Sequence, residues 1–181
     1  MKYIILVSKE RDLILFDKEY IHMSKVLYTY FEGSDDDPDS DPDSDRNNVH
    51  NNNQVENTFP VPHLSTNILI QIMEFMKINY TIEKLTIPMP IYNEAELTFA
   101  IGMRNKQFLD KNKEQLLDLI FAADYLDIPM LLHIGCAKIA VQLKSMSISE
   151  IRTYLHLDND LNEEEIKHVI EENNWYQFAK Q

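Results

Sequence analysis

The spacing of apolar residues changes from strand-like to helical along the chain. Two short runs at residues 3–7 and 12–16 are mainly Ile and Leu, and the polar residues between them supply a turn, so the pattern predicts a β-hairpin. The Phe-Pro-Val-Pro stretch at 59–62 is predicted to be extended, because proline is excluded from helix interiors. From residue 65 onwards apolar positions recur at helical spacing. The pattern therefore predicts an α+β domain followed by a helical extension.

Polar capping residues mark the starts of the predicted helices. In the first part of the chain, Ser24 precedes a short helix, Ser65 precedes a helix over 66–79, and Asn93 precedes a helix that runs to about 106. Three later ones are followed three residues on by Gln or Glu, as in a capping box, and they are Asn112, Ser147 and Asn162. Pro129 suits a first helical turn. The C-terminal helices are predicted at 113–126, 129–143, 147–155 and 163–172.

The predicted helix over 129–143 carries apolar residues on two nearly opposite faces. One stripe has spacings of four, three and four residues and consists of Leu132, Cys136, Ile139 and Leu143. A second stripe has the same spacing, offset by two residues, and consists of Met130, Ile134, Ala137 and Val141. Two residues correspond to about 200° of helix rotation. One face can therefore pack on its own domain, and the other needs cover from the C-terminal helices or from a partner protein.

The last predicted helix offers a further apolar stripe. Ile166, Val169 and Ile170 share one of its faces, and the chain's only tryptophan, Trp175, follows two asparagines. A tryptophan near a chain end is often an interface anchor. The alternative is that Trp175 folds back onto its own helix.

Acidic residues dominate the charge and are concentrated in one segment. The 181 residues carry a formal net charge of −13, and residues 32–57 alone hold nine acidic side chains and one arginine. We interpret 33–57 as a disordered acidic insertion that serves as a spacer. The alternative is that an acidophilic kinase uses Ser34 and Ser40, each of which has an acidic residue three positions later. The charge argues against binding to nucleic acid or to a bare anionic membrane surface.

No arrangement of residues indicates catalysis or a cofactor. The six histidines are dispersed, the three glycines stand singly, and no nucleophile motif is present. Cys136, the only cysteine, lies among apolar residues and is expected to be a buried, inert thiol. We therefore expect a protein that is not an enzyme and has no catalytic residue, cofactor, metal or small-molecule substrate. Neither a signal peptide nor a membrane span is expected, which suggests a cytoplasmic or nuclear location, in a host cell if the chain is viral.

Three stretches in the second half of the chain carry a family resemblance. They read Leu-Leu-Asp-Leu-Ile-Phe-Ala-Ala-Asp-Tyr-Leu-Asp-Ile at 116–128, Ser-Glu-Ile-Arg at 149–152 and Glu-Asn-Asn-Trp at 172–175. In order and spacing they resemble the Skp family, the S-phase kinase-associated adaptors of SCF ubiquitin ligases. The hairpin, the Phe-Pro-Val-Pro stretch and an acidic loop also sit where that family has them, whereas residues 81–106 resemble it poorly.

The resemblance implies a BTB/POZ-like core over 1–126 and a C-terminal helical F-box-binding extension over 127–181. It implies an adaptor that links F-box proteins to a cullin scaffold in an SCF-type E3 ubiquitin ligase, and so promotes ubiquitination and degradation of substrates. Carried over residue by residue, the cullin contacts are Asp124 and Tyr125. The F-box contacts are Leu132, Cys136, Ile139, Leu143, Ile151, Ile166 and Trp175.

Asp124 departs from the family, which usually has asparagine there. An amide donates and accepts hydrogen bonds, whereas a carboxylate only accepts them. The change leaves open an F-box-binding scaffold or decoy without productive cullin binding. A cullin adaptor of the elongin C kind, or a self-associating BTB domain, is a third reading. Residues 147–175 argue against the third reading, because those proteins end before such an extension.

Overall fold

The structure, a computed structural model, describes residues 2–33, 57–82, 85–158 and 162–172. The acidic insertion predicted over 33–57 lies outside the described residues except at its two ends, and Trp175 lies outside them as well. In the described ranges no helix is both long enough and apolar enough to cross a membrane.

The N-terminal hairpin forms and contributes two strands to a three-stranded sheet. Strand β1, Tyr3–Val7, lies in the centre and pairs antiparallel with β2, Leu13–Asp17. On its other side it pairs parallel with β3, Thr58–Pro60, which is part of the stretch predicted to be extended. The inner face of the hairpin is buried because side chains alternate along a strand, and it consists of Ile4, Leu6, Ile14 and Phe16. The predicted α+β class is confirmed.

Helices make up most of the remaining described structure. Short 3₁₀ segments at Lys18–Met23 and Lys113–Gln115 precede α1 and α4. The α-helices are α1 Lys25–Glu32, α2 Thr66–Asn79, α3 Glu94–Lys111, α4 Leu116–Tyr125, α5 Pro129–Leu143, α6 Ile148–Tyr154 and α7 Glu163–Glu172. The predicted bounds of α2, α5 and α7 match these ranges.

The predicted caps of α1, α2 and α3 are confirmed. The side chains of Ser24, Ser65 and Asn93 each accept a hydrogen bond from the backbone N–H three residues later. Helix α3 extends past the predicted end near 106, but it is broken at Gly102, whose φ of 81° lies in the left-handed region. Glycine adopts this conformation without the steric cost that a Cβ would bring.

The predicted capping box at Asn112 is wrong. Its side chain makes no cap for the next helix, because its amide Nδ2 donates to the Phe108 carbonyl oxygen at 2.8 Å, on the last turn of α3. Asn112 is buried there, and the residues that follow it form a 3₁₀ turn before α4 begins at Leu116. The side chain thus serves the end of the preceding helix rather than the start of the next.

The core lies between the sheet and helices α1 to α5, and a pair of asparagines is buried in it. Asn79 and Asn105 are buried and exchange two amide hydrogen bonds, of 2.8 and 2.9 Å, between α2 and α3. Each Nδ2 also donates to a carbonyl four residues earlier, on Phe75 and Ile101. All the amide N–H groups of the pair are therefore satisfied, as burial of polar groups requires.

The chain divides into two compact units, residues Met1–Val141 and Gln142–Gln181. The first contains the sheet, α1 to α4 and nearly all of α5, whereas the second contains the end of α5 with α6 and α7. The predicted functional division at 126/127 rests on binding roles rather than on compactness, and it stays a prediction.

Candidate functional site

The inner face of α5 positions this helix on the first unit. The face is buried and consists of Leu131, Ile134, Gly135 and Lys138. A Cβ placed on Gly135 would lie 2.7 Å from Cγ1 of Ile120. The missing side chain therefore lets α5 approach α4 closely. Of the second predicted stripe, only Ile134 is fully buried, whereas Met130, Ala137 and Val141 are half-buried at the edge of the core.

The first predicted stripe faces outward. Leu132 and Ile139 pack against the edge of the core but remain partly exposed, and Leu143 is half-buried. Cys136 is exposed, so the expectation of a buried thiol is wrong. The reason is geometric: Cys136 lies two residues, or about 200°, from both Ile134 and Lys138 on the buried face. Apolar side chains at the solvent boundary of α5 are thus available to a partner.

Lys138 holds a buried charge on the inner face of α5. It is 6% exposed, and its Nζ lies 2.9 Å from Oδ1 of Asp110 and 2.5 Å from Oε1 of Glu94. Burial lowers the pKa of this ammonium group, but the hydrogen bonds to Glu94 and Asp110 outweigh burial and raise it. These contacts fasten α5 to both ends of α3. Lys138 was not among the residues predicted from the sequence, although its spacing from Leu131 and Gly135 places it on the buried face.

The second unit presents α6 and α7 with confirmed capping boxes. Glu150 N–H donates to Ser147 Oγ and Ser147 N–H donates to Glu150 Oε2, and Asn162 and Glu165 exchange the equivalent pair. The hydrogen bond from the Ser147 backbone lowers the pKa of the Glu150 carboxyl group. The Tyr154 hydroxyl donates to Gln142 Oε1 at 2.8 Å, which joins α6 to the end of α5 within this unit.

The apolar stripe of α7 is exposed. Ile166, Val169 and Ile170 lie on one face of the helix, and each is accessible to solvent. Ile151 of α6 is half-buried, whereas Ile148 is exposed. The described part of this unit therefore displays several apolar side chains on short, well-capped helices.

The residues predicted to contact a cullin lie together at the end of α4. Asp124 and Tyr125 are both exposed, and the Tyr125 ring contacts the His63 ring edge-to-face, with 6.1 Å between centroids. Phe121, one turn earlier, is 69% exposed and was not among the contacts predicted from the sequence. Its position four residues before Tyr125 places it on the same face of the helix.

The turn that follows α4 is fastened to the start of α1. The Ser24 hydroxyl donates to the Leu126 carbonyl oxygen, and the Lys25 N–H donates to the Asp127 carbonyl oxygen at 3.0 Å. Asp127 has a φ of 47°, in the left-handed region, which lets the chain reverse between α4 and α5. The turn after α4 is therefore held by α1, and the Tyr125 ring at the end of α4 contacts His63.

The predicted binding surfaces on α4, α5 and α7 consist mainly of apolar and aromatic side chains, and Cys136 and Asp124 are the exposed exceptions. No cluster of three or more His, Cys, Asp or Glu side chains able to hold a metal occurs in the described ranges. Exposed apolar residues on helices gain free energy by burial against another protein. The fold and these faces together define a protein-interaction module.

Comparison with known proteins agrees with this class. The model of the Skp1 family, dimerisation domain, matches residues 129–176, which contain α5, α6 and α7. The S-phase kinase-associated protein 1 homolog of Tetrahymena thermophila is 29% identical over 175 residues, covering 96% of this chain and 93% of the relative. The E3 ubiquitin ligase complex SCF subunit sconC of Emericella nidulans is 31% identical over 116 residues, covering 64% of this chain and 71% of the relative. SKP1-like protein 11 of Arabidopsis thaliana is 29% identical over 121 residues, covering 67% of this chain and 74% of the relative.

The chain belongs to the Skp1 family. The resemblance noted in the sequence is confirmed at this level. The roles of the individual residues at the end of α4 and on α5 to α7 stay predictions.

Proposed function

We propose that this chain is an adaptor that links F-box proteins to a cullin scaffold in an SCF-type E3 ubiquitin ligase. In this role it promotes ubiquitination of substrates and performs no catalysis itself. The relatives named as SCF subunits support the general role. The observation that carries the proposal lies in the first unit, where two sets of solvent-accessible side chains occupy different helices, one at the end of α4 and one on the outer face of α5.

The outer face of α5 is the proposed F-box contact, together with α6 and α7. Leu132 and Ile139 are anchored on the core side and open on the other, so a partner can cover them without unfolding the helix. The opposite face is held by Gly135 against α4 and by Lys138 against α3. A rigid helix with a free apolar face loses little conformational entropy on binding, which favours affinity. Trp175, which lies outside the described residues, is proposed to contribute as well.

The end of α4 is the proposed cullin contact, in a core that we propose to be BTB/POZ-like. Tyr125 supplies an aromatic side chain, which is a residue type enriched at binding hot spots. Phe121 adds an exposed apolar ring on the same helix face. Asp124 places a carboxylate beside them, and it accepts hydrogen bonds but cannot donate one.

The test is a binding assay with the purified chain, an F-box segment and a cullin N-terminal domain, run first in pairs and then as a trio. We expect a ternary complex, and we expect exchange of the α5 backbone amides to slow further when the F-box segment is added. Asp124→Asn is the matched variant, because it changes a charge and a donor without changing size. Absence of F-box binding by the unmodified, folded chain would refute the proposal.

A second candidate function is an F-box-binding scaffold or decoy without productive cullin binding. It is favoured by one observation, the exposed carboxylate of Asp124 beside Tyr125. If the cullin surface offers an acceptor at this point, two acceptors face each other without a proton between them. F-box binding without cullin binding, with cullin binding gained in Asp124→Asn, would select this function over the adaptor.

A further inference from the structure

A concavity of about 250 Å³ lies beside the exposed face of α4. Its wall is formed by the turn of the hairpin, by the start of α2 with the loop before it, and by α4 itself. We call this feature the α4 concavity. It adjoins the proposed cullin contact in two ways: Phe121 lines it and shares a helix face with Tyr125, and His63 lines it and contacts the Tyr125 ring.

Two carboxylates line the α4 concavity and come from different elements. Asp118 is exposed in the first turn of α4, and its carboxylate makes no ion pair or hydrogen bond with the residues that the structure describes. Glu10 is held in place, because the Thr66 backbone N–H donates to its Oε2 at 2.8 Å. This hydrogen bond lowers the pKa of Glu10 below its ordinary value of 4.5, so Glu10 is charged at neutral pH. A carboxylate has about four lone-pair sites, so Glu10 can accept a further donor.

Apolar side chains supply another part of the wall. Leu64 and Ile68 are buried beneath the α4 concavity, and the exposed ring of Phe121 lies at its side. Lysine and arginine cover apolar surface with their aliphatic stems while the charged head group meets polar partners. Apolar walls next to carboxylates therefore suit a long basic side chain. Lys9 also lines the concavity and carries the same charge as such a ligand, but two carboxylates outnumber its single ammonium group.

We propose that a lysine or arginine side chain of the cullin enters the α4 concavity and pairs with Glu10 and Asp118. This inference rests on the proposed adaptor function, and it names the chemistry of the partner at the cullin contact. Phe121 and Tyr125 pack on the cullin, while the concavity beside them selects a cullin surface with a basic side chain at this point. A surface with an acidic side chain there places like charges together, which gives specificity by repulsion.

The experiment measures the dissociation constant between the full chain and a cullin N-terminal domain by calorimetry at two salt concentrations, because ion pairs at a surface weaken with salt. Glu10→Gln and Asp118→Asn each remove one charge without changing size, and Asp118→Lys reverses one charge. Glu19→Lys is the matched control, because Glu19 is an exposed acidic residue outside the α4 concavity. Circular dichroism and binding of the F-box segment verify that each variant is folded.

We expect Asp118→Lys to raise the dissociation constant roughly tenfold or more, whereas Glu19→Lys changes it less than about twofold. Glu10→Gln and Asp118→Asn should each raise it about threefold and reduce its dependence on salt. Lys9→Gln should lower it, because it removes a like charge. Among single Lys→Glu and Arg→Glu variants of the cullin domain, one should bind Asp118→Lys more tightly than it binds the unmodified chain.

The outcomes separate this inference from the proposed function. Equal effects of Asp118→Lys and Glu19→Lys on cullin binding would mean that only overall charge matters, and the inference would fail while the adaptor function stood. Weaker cullin binding by a folded Lys9→Gln variant would overturn the inference in the same way. If the unmodified chain binds the F-box segment but no cullin, the adaptor function and the inference fail together.

Discussion

The buried ammonium group of Lys138 offers a test of how α5 is held in place. Its two carboxylate partners are much more exposed than Lys138 itself. The side chains of Glu94 and Asp110 are 40% and 43% exposed, whereas that of Lys138 is 7% exposed. Removing Lys138 leaves two carboxylates that water can solvate. Removing both carboxylate charges leaves an ammonium group that is largely shielded from water. The two perturbations should therefore have different costs, although they break the same ion pairs.

Breaking a fully buried pair so that one charge stays behind costs about 3–5 kcal/mol, and the exposed sides of the two carboxylates reduce this value. For the double variant Glu94→Gln with Asp110→Asn we expect a loss of about 2 kcal/mol in the free energy of unfolding, or roughly 4–8 °C in Tm for a chain of this size. For Lys138→Met, which keeps the apolar stem, we expect a change within about 1 kcal/mol, because the two carboxylates left behind are partly exposed and water can solvate them.

Urea denaturation followed by far-UV circular dichroism measures both changes. Lys106→Met is the control for the surface pair that Asp110 also forms with Lys106, and it should cost no more than about 0.5 kcal/mol. If Lys138→Met destabilises the protein as much as the double variant does, the reasoning from an uncompensated charge is refuted.

The same ion pairs give the stability a defined pH dependence. Hydrogen bonds from Lys106 and Lys138 hold the pKa of Asp110 below its ordinary value of 3.8, so its contribution is present above that pH and is lost as the pH falls through the folded-state value. The pKa of Lys138 lies above its ordinary value of 10.5, so its contribution is lost only as the pH rises through the folded-state value. Between these limits the difference in unfolding free energy between Lys138→Met and the unmodified chain should not change with pH.

Three further substitutions test the packing and the two proposed surfaces. Gly135→Ala should destabilise the protein by about 1–3 kcal/mol, because its Cβ would meet Ile120, and Ile120→Ala should remove part of that cost in a double-mutant cycle of unfolding free energies. Ile139→Lys should abolish F-box binding in a pull-down while the fold survives, and an unfolded variant would mean that Ile139 is ordinary core. Tyr125→Lys should weaken cullin binding and leave F-box binding intact, and an equal loss of both would contradict the division into two surfaces.

Local features of the fold were predictable because their signals lie within a few residues. The hairpin follows from two apolar runs around a polar turn, and the cap at Ser65 and the box at Ser147 each need only the residue three positions on. The bounds of α5 follow from Pro129 at its start and from the end of helical spacing at Leu143. The Skp1 family was also recognisable, since its motifs are read in order along the chain.

Features that depend on distant residues were not predictable. Asn112 carries the same local pattern as Ser147, but the nearby end of α3 takes its side chain and no cap forms. Cys136 lies among apolar neighbours in sequence, yet the direction in which α5 faces the core leaves it exposed. Sequence spacing described two stripes on α5, and packing against α4 selected a buried face between them, centred on Gly135.

Short-range patterns thus established the elements, the family and the candidate binding residues, because helix caps, turns and periodicity are properties of neighbouring residues. Packing over long distances in sequence established which faces are buried and which charges are paired. The Asn79–Asn105 pair joins residues that are 26 positions apart, and the contact between Lys138 and Glu94 joins residues that are 44 apart. Hydrogen bonds of this kind form only after the helices have packed, because burial and geometry, rather than spacing in the chain, determine which polar groups meet.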